Sequence, residues 1–191
     1  CSVGDTGVAL TAFAATQCDL FLLTNSNPYF ESFETATMPV NPCWNVLYTS
    51  NTPIHDNAVA LHGARSFRFS SFYNAVDFNQ YLVTPEVMAY GPIRVSFHYR
   101  KSTDDFEERF AVGYAVASND PTEDGWVWLD TVEEASATAW QRYSAVVPDS
   151  AHFSAIHYLK ERDGAYLYID SLLLATDASA CVTPLLGAVD A

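Results

Sequence analysis

Apolar and polar residues alternate with a period of two through most of this chain. The segment GPIRVSFHYRK is the clearest example, with Ile93, Val95, Phe97 and Tyr99 on one face and Arg94, Ser96, His98 and Arg100 on the other. Such a pattern predicts an antiparallel strand with one buried and one solvated face. Similar segments are SFRFS, NQYLVTP, ERFAVGYAVAS, GWVWLDTV, WQRYSAVV, FSAIHYL and AYLYIDSLLL. Turn clusters such as SNDPTEDG separate them, so the chain is predicted to be all-β, an antiparallel two-sheet β-sandwich of jelly-roll type.

The stretch NPYFESFETATMPVNPCW alternates aromatic and acidic residues and then meets two prolines, which end a strand. Phe30 and Phe33 are three positions apart and cannot both point inward along an ideal strand. We assign Phe33 to the core and Glu34 to the opposite side, where it can meet the last strand. Trp44 is predicted to cover the end of the sandwich.

The composition supports a folded domain and excludes some partners. The chain has 191 residues, 49% of them hydrophobic and 14% aromatic, which suffices for a sizeable core. Its formal net charge of -14 repels phosphate backbones, so nucleic acid and anionic membrane surfaces are not expected partners. No apolar run in the sequence is long enough to span a bilayer, and no signal peptide opens it, which predicts a mature or excised fragment.

The four cysteines, Cys1, Cys18, Cys43 and Cys181, form no CxxC motif and have no zinc-like spacing with histidines. Their even number is compatible with disulfides in an oxidising compartment, with the pairing left open. Cys43 lies between Pro42 and Trp44 and is expected to pair or pack rather than act as a nucleophile.

The order of the strand motifs resembles the cleaved adhesin family, also called the choice-of-anchor type jelly-roll domain, known from gingipain-type haemagglutinins. The matching features are the FE pair at Phe33 and Glu34, LHGARSFRFSS, YLVTPEV, IRVSFHYR, RFAVGYAVAS, a strand led by Trp140, and YLYIDSLLL, over residues 28–175. The resemblance implies a jelly roll of the galactose-binding-like or MAM-like type. It also implies a non-catalytic adhesion module that binds carbohydrate or a host or cell-surface protein, as a monomeric unit on the extracellular side of a Gram-negative bacterium.

Three segments are expected. Residues 1–26 form an N-terminal strand or linker, 27–176 the adhesin-type domain, and 177–191 an exit segment. The flanks resemble the end of one fibronectin type III module and the start of another. A short N-terminal strand of the jelly roll itself is an equal alternative for the first segment.

Asp170 lies on a closing strand that is apolar on both faces, so its carboxylate is expected to be at least partly buried. A buried carboxylate is costly unless it is paired, hydrogen-bonded or bound to a cation. One hypothesis is a structural Ca²⁺ held by Glu34, Asp170 and backbone carbonyls. The other is that Asp170 caps a turn or accepts backbone N–H bonds. Ser171 follows Asp170 where the family often has a second acid, which weakens the calcium hypothesis.

Candidate ligand residues are aromatic. Trp126 and Trp128 lie two apart on one strand face and, with Tyr73 and Tyr90, form the predicted ligand-binding set, the alternative being that the rings are core. Enzyme chemistry is not expected. The histidines are interpreted as surface residues, and the acidic loops are interpreted as solvated hairpin tips: Asp104, Asp105, Glu107, Glu108, Asp120, Glu123 and Asp124. The alternative functions are a structural spacer, or an accessory domain of a secreted protease or glycosidase.

Overall fold

The computed structural model describes residues 18–35, 43–48, 51–71, 80–133, 135–136, 139–159 and 164–177. These residues form thirteen strands. The strands are β1 (Phe21–Leu23), β2 (Tyr29–Glu31), β3 (Asn45–Tyr48), β4 (Ile54–Asp56), β5 (Ser66–Ser70), β6 (Gln80–Val83), β7 (Val87–Ala89), β8 (Ile93–Lys101), β9 (Phe110–Ala115), β10 (Val127–Val132), β11 (Gln141–Val147), β12 (Phe153–Tyr158) and β13 (Tyr166–Thr176). No helix in these ranges is long and apolar enough to cross a lipid bilayer.

Two antiparallel sheets form the sandwich. The five-stranded sheet has the order β10-β9-β12-β6-β3. The second sheet has the order β11-β8-β13-β5-β4, and β2 also pairs with β13, beyond the end of β5. These pairings confirm the predicted all-β class and antiparallel sandwich.

The core between the sheets is aromatic because the inward positions of several strands carry large rings. Phe69 stacks on Tyr158 with ring centroids 5.5 Å apart, and Phe97 packs against Phe110 at 5.7 Å. Phe33 is fully buried beside Phe67, which confirms its core assignment, while Phe30 is 55% exposed. Two large rings that face each other across the layers bury far more apolar area than aliphatic pairs would.

The N-terminal end of the described chain is attached to the sandwich. Strand β1 pairs in parallel with β7, and Leu23 lies in the core. A disulfide joins Cys18 to Cys43, which brings the segment before β1 to the start of β3. Cys43 therefore pairs, as expected. The division of the chain at residue 26 stays a prediction.

Trp44 is buried at the start of β3, and its indole Nε1 donates a hydrogen bond to Tyr29 Oη at 2.9 Å. It packs against Phe33 with ring centroids 5.9 Å apart and belongs to the core. Its place at the end of the sandwich stays a prediction.

The interpretation of Glu108 as part of a solvated hairpin tip is wrong. Its side chain is fully buried, where it accepts hydrogen bonds from Tyr158 Oη and from the Ala165 backbone N–H. Tyr158 also contacts Ser71 Oγ at 2.8 Å. A buried carboxylate needs such donors, because an unpaired one would be strongly disfavoured. The neighbouring Asp104 and Asp105 are exposed, as predicted.

Candidate functional site

The outer face of the five-stranded sheet has a floor of small residues. Alternation along β9 and β12 points Phe110, Val112 and Ile156 into the core and leaves Ala111, Gly113 and Ala155 on the outer face. The lack of a side chain at Gly113 matters most. A Cβ built there would lie 2.6 Å from Cε3 of Trp128, so the indole rests directly on the strand backbone.

Four rings cover this floor, and we call them the aromatic platform: Trp126, Trp128, Tyr81 and His157. Trp126 and Trp128 lie nearly parallel, with centroids 5.8 Å apart and planes inclined by 21°. His157 stacks on Tyr81 at 4.0 Å and contacts Trp128 at 5.3 Å. Trp128 is 37% exposed, so a ligand can reach its ring. Trp128 is therefore not a core residue, while Trp126 packs partly buried against the cluster of Tyr81, Val83 and Ala155.

The loop between β9 and β10 holds one end of the platform. Trp126 Nε1 donates to the Asp120 carbonyl at 2.9 Å, which uses its only polar group and fixes the ring. The Asn45 side chain donates to the Asn119 carbonyl at 2.8 Å and ties the same loop to β3. The ring faces are thus held in place before any ligand arrives.

Electrostatically the platform is neutral at physiological pH. Burial lowers the pKa of His157 to about 4, so its imidazole is uncharged. Burial, with a smaller contribution from the Asp120 charge, raises the pKa of Tyr81. Uncharged rings of this kind suit a neutral ligand with apolar C–H faces.

A cavity of about 300 Å³ lies at the neighbouring end of the same sheet. Phe153 links the two, because it lines the cavity and also packs, like Trp126, against the cluster of Tyr81, Val83 and Ala155. The cavity is further lined by Asn45, Asn119, Glu86, Trp44 and the Cys18–Cys43 disulfide. Amide and carboxylate groups beside stacked rings can hydrogen-bond to ligand hydroxyls.

The two predicted calcium ligands both accept hydrogen bonds from the same loop. Asp170 is fully buried, and its Oδ2 accepts the Leu61 and His62 N–H bonds at 2.7 and 3.2 Å. Glu34 accepts the Ala64 and Arg65 N–H bonds at 2.9 and 3.3 Å. Loop 61–65 thus links Glu34 to the last strand through hydrogen bonds.

All four carboxylate oxygens of these acids already have donors, since Ser171 Oγ donates to Asp170 Oδ1 at 3.0 Å. The described residues contain no group of three or more His, Cys, Asp or Glu side chains that could hold a metal ion. Calcium needs several free oxygen ligands, and the arrangement does not supply them from side chains. Calcium at Glu34 and Asp170 stays a prediction.

The other predicted ligand residues do not join the platform. Tyr90 is 85% exposed and borders a different cavity of about 240 Å³, beside Leu23, Gly91 and Asp177. Tyr73 lies outside the described residues.

Sequence reasoning missed His157 and Tyr81, and it was wrong to treat every histidine as an ordinary surface residue. His157 is half-buried in the stack, and His55 is buried beside Phe33. The missing signal was strand register, because His157 lies opposite Tyr81 across β12 and β6.

No protein-family model matches this sequence, and no curated protein matches it. Solved structures with a similar fold include two cleaved adhesin domains of Lys-gingipain from Porphyromonas gingivalis W83. The K1 domain has a TM-score of 0.65 and 16% identity over 79% of this chain and 99% of that chain. The K3 domain has a TM-score of 0.68 and 16% identity over 78% of this chain and 98% of that chain.

A third similar structure is the CBM22-1 xylan-binding domain of Paenibacillus barcinonensis Xyn10C. Its TM-score is 0.52, with 14% identity over 78% of this chain and 95% of that chain. These likenesses show the fold, and they confirm at that level the resemblance to cleaved adhesin domains that the order of the strand motifs predicted.

Proposed function

We propose that this chain, which has the fold of the cleaved adhesin domains of Lys-gingipain, is a non-catalytic glycan-binding module that serves adhesion. The observation that carries the proposal is the aromatic platform. Its rings are uncharged and lie on one sheet face, and three of them, Trp126, Trp128 and His157, are at least partly exposed.

Aromatic rings recognise sugars because the C–H faces of a pyranose are apolar and pack flat on an indole. Trp128 and Trp126 together offer a surface longer than one ring, which suits an oligosaccharide chain better than a single sugar. The cavity beside Phe153 adds Asn45, Asn119 and Glu86 for hydroxyl recognition. A xylan-binding domain with this fold supports a neutral polysaccharide as the ligand class.

We place the module outside the cell, in a secreted or surface-attached protein. The Cys18–Cys43 disulfide supports this location, since disulfides persist in oxidising compartments. The formal charge of -14 favours solubility in such a setting.

The test is isothermal titration calorimetry of the full chain with xylohexaose, cellohexaose and a panel of neutral oligosaccharides. We expect at least one to bind, and we expect Trp128→Ala to lower its affinity by roughly tenfold or more, since loss of a stacked ring costs about 1–2 kcal/mol. Trp140→Ala is the matched control, because Trp140 lies immediately before β11, which belongs to the other sheet.

An equal loss of oligosaccharide affinity in Trp128→Ala and Trp140→Ala would mean a general effect on folding. It would overturn the assignment of the aromatic platform as the binding site. Absence of binding across the whole panel would reject glycan binding and favour the structural spacer.

A further inference from the structure

The second sheet together with β2, which we call the six-strand layer, carries arginines on its outer face, although the protein as a whole is acidic. Four of the nine Lys and Arg residues lie there, on β5, β8 and β11: Arg68, Arg94, Arg100 and Arg142. Three of these have partners on the same face. Arg68 pairs with Asp56, Arg94 with Asp177, and Arg100 lies over the Trp140 ring.

Arg142 is the exception, because its guanidinium makes no ion pair or hydrogen bond with any residue in the described ranges. Its strand position is directly opposite His98 on β8, and His98 is in turn opposite Asp170 on β13. A guanidinium that is held on a strand and left without a counterion can accept an external anion with two parallel hydrogen bonds.

Arg142 borders a cavity of about 250 Å³, which we call the Arg142 cavity. The other residues that line it are His62, His98, Ser96, Ser171, Phe30, Phe97 and Leu173. A β-bulge between Asp170 and Leu173 shapes one wall, and Ser171 there has a φ of 54°. Left-handed backbone in a residue other than glycine is costly, and such residues cluster at functional sites.

No Asp or Glu is among the described residues that line this cavity. Asp170 is the carboxylate in register with His98, and both its oxygens accept hydrogen bonds, from the Leu61 and His62 N–H groups and from Ser171 Oγ. His98 Nδ1 is buried and has no hydrogen-bond partner among the described residues. A buried polar atom without a partner is rare and marks a place where a ligand or water is missing.

The remaining wall is apolar. Phe30 is 55% exposed at the rim, and Leu173 lies directly opposite it on β13. An exposed ring beside a guanidinium and two hydroxyls is the combination that recognises an acidic sugar. The guanidinium takes the carboxylate, the hydroxyls and imidazoles take the sugar hydroxyls, and the ring takes the C–H face.

We propose that the Arg142 cavity is a second ligand site, on the face opposite the aromatic platform, and that it takes one acidic monosaccharide unit such as a hexuronate. The volume limits the ligand to about one ring, since sites for drug-sized molecules start at ~300 Å³. The acidity of the whole protein does not prevent this, because charges beyond ~8 Å are screened at physiological ionic strength and Arg142 acts at contact. The proposal is independent of the platform.

The test is an NMR titration of the full chain with glucuronate, with glucose as the same ring without a carboxylate, and with sulfate as charge without a ring. We expect saturable shifts at His98 and around Arg142 with glucuronate, and at least tenfold weaker effects with the other two probes. Arg142→Ala is expected to weaken glucuronate binding at least tenfold, and Arg142→Lys to weaken it less.

Two matched controls separate this site from general charge and from the platform. Arg109→Ala removes an exposed arginine near Glu133 by the five-stranded sheet and is expected to leave glucuronate binding unchanged. Trp128→Ala is expected to leave it unchanged as well. Equal binding of sulfate, absence of saturation with glucuronate, or an unaltered affinity in Arg142→Ala would each overturn the proposal.

Discussion

The two outer faces of the sandwich carry opposite kinds of chemistry on the same strand geometry. On the five-stranded sheet the outward positions hold small residues covered by the rings of the aromatic platform. On the six-strand layer they hold arginines, histidines and serines, together with the buried carboxylate of Asp170. One face offers flat neutral surface, and the other offers directed charge.

The two faces differ in whether their outward side chains contribute mainly to binding or mainly to stability. Trp128 is 37% exposed, so much of its ring does not contribute to the core. Asp170 is fully buried and holds loop 61–65 against the last strand. We therefore expect substitutions on the platform to change binding more than stability, and substitutions at Asp170 to do the reverse.

The largest expected effect is on stability in Asp170→Ala. It leaves the Leu61 and His62 N–H groups without their acceptor, which costs about 2–5 kcal/mol in the free energy of unfolding. Urea denaturation of the wild type and variant measures this cost. Asp170→Asn keeps one acceptor oxygen and should lose less. A loss in Asp170→Ala no larger than that in Trp128→Ala would contradict the contrast between the two faces.

A second expected effect is a pH dependence of the protein's stability that comes from His157 in the aromatic platform. His157 titrates at 6.5 when unfolded and at about 4 in the fold, so the unfolded chain binds more protons between those values. The stability that the fold gains with neutral His157 is fully present above pH 6.5, and it is lost as the pH falls toward 4. The loss stays below ~3 kcal/mol, because part of the ring is in contact with solvent.

Stability curves from pH 4 to 7 for the wild type and His157→Phe measure this dependence, and the phenyl ring keeps the stack without titrating. We expect a shallower slope in the variant. His55 and His98, whose pKa values are also lowered by burial, keep their own contributions in both proteins. Identical slopes would show that His157 is not shielded in the stack.

A third and smaller effect tests the floor of the platform. Gly113→Ala places a methyl group against the Trp128 ring, and such overpacking typically costs about 1–3 kcal/mol. The displaced indole should also lower oligosaccharide affinity several-fold. Gly91→Ala is the matched control, because a Cβ there meets no atom within 4 Å. Thermal melts measure the stability of both variants, and calorimetry measures their oligosaccharide affinity. Equal values in the two variants would mean that the position of the Trp128 ring does not depend on Gly113.

Local alternation predicted β5, β6 and β8 to β13, but not the short strands β3, β4 and β7. In β8 the four apolar positions from Ile93 to Tyr99 are buried, as predicted, because their alternation depends only on neighbouring residues. Phe33 was correctly placed in the core, although its φ of 59° shows that it lies outside strand geometry. The burial of an aromatic residue can be predicted from the sequence, but the turn that places it in the core cannot.

The sites were only partly predictable, because they depend on register between distant strands. Trp126 and Trp128 are two apart in sequence, so their stacking follows from one strand. Tyr81 and His157 join them only through the pairing of β6, β12, β9 and β10, which no local pattern specifies. Arg142 and His98 likewise meet through the pairing of β11 with β8.

The smallest expected effect concerns calcium on the charged face. The four oxygens of Glu34 and Asp170 accept N–H and hydroxyl hydrogens, so a cation would have to displace donors that already satisfy them. We therefore expect the same melting temperature with excess calcium and with excess chelator at fixed pH and ionic strength. A rise of several degrees with calcium that Asp170→Asn abolishes would instead show that loop 61–65 turns its carbonyls inward to complete a calcium site. In that case the charged face would gain its stability from the ion rather than from the backbone N–H groups.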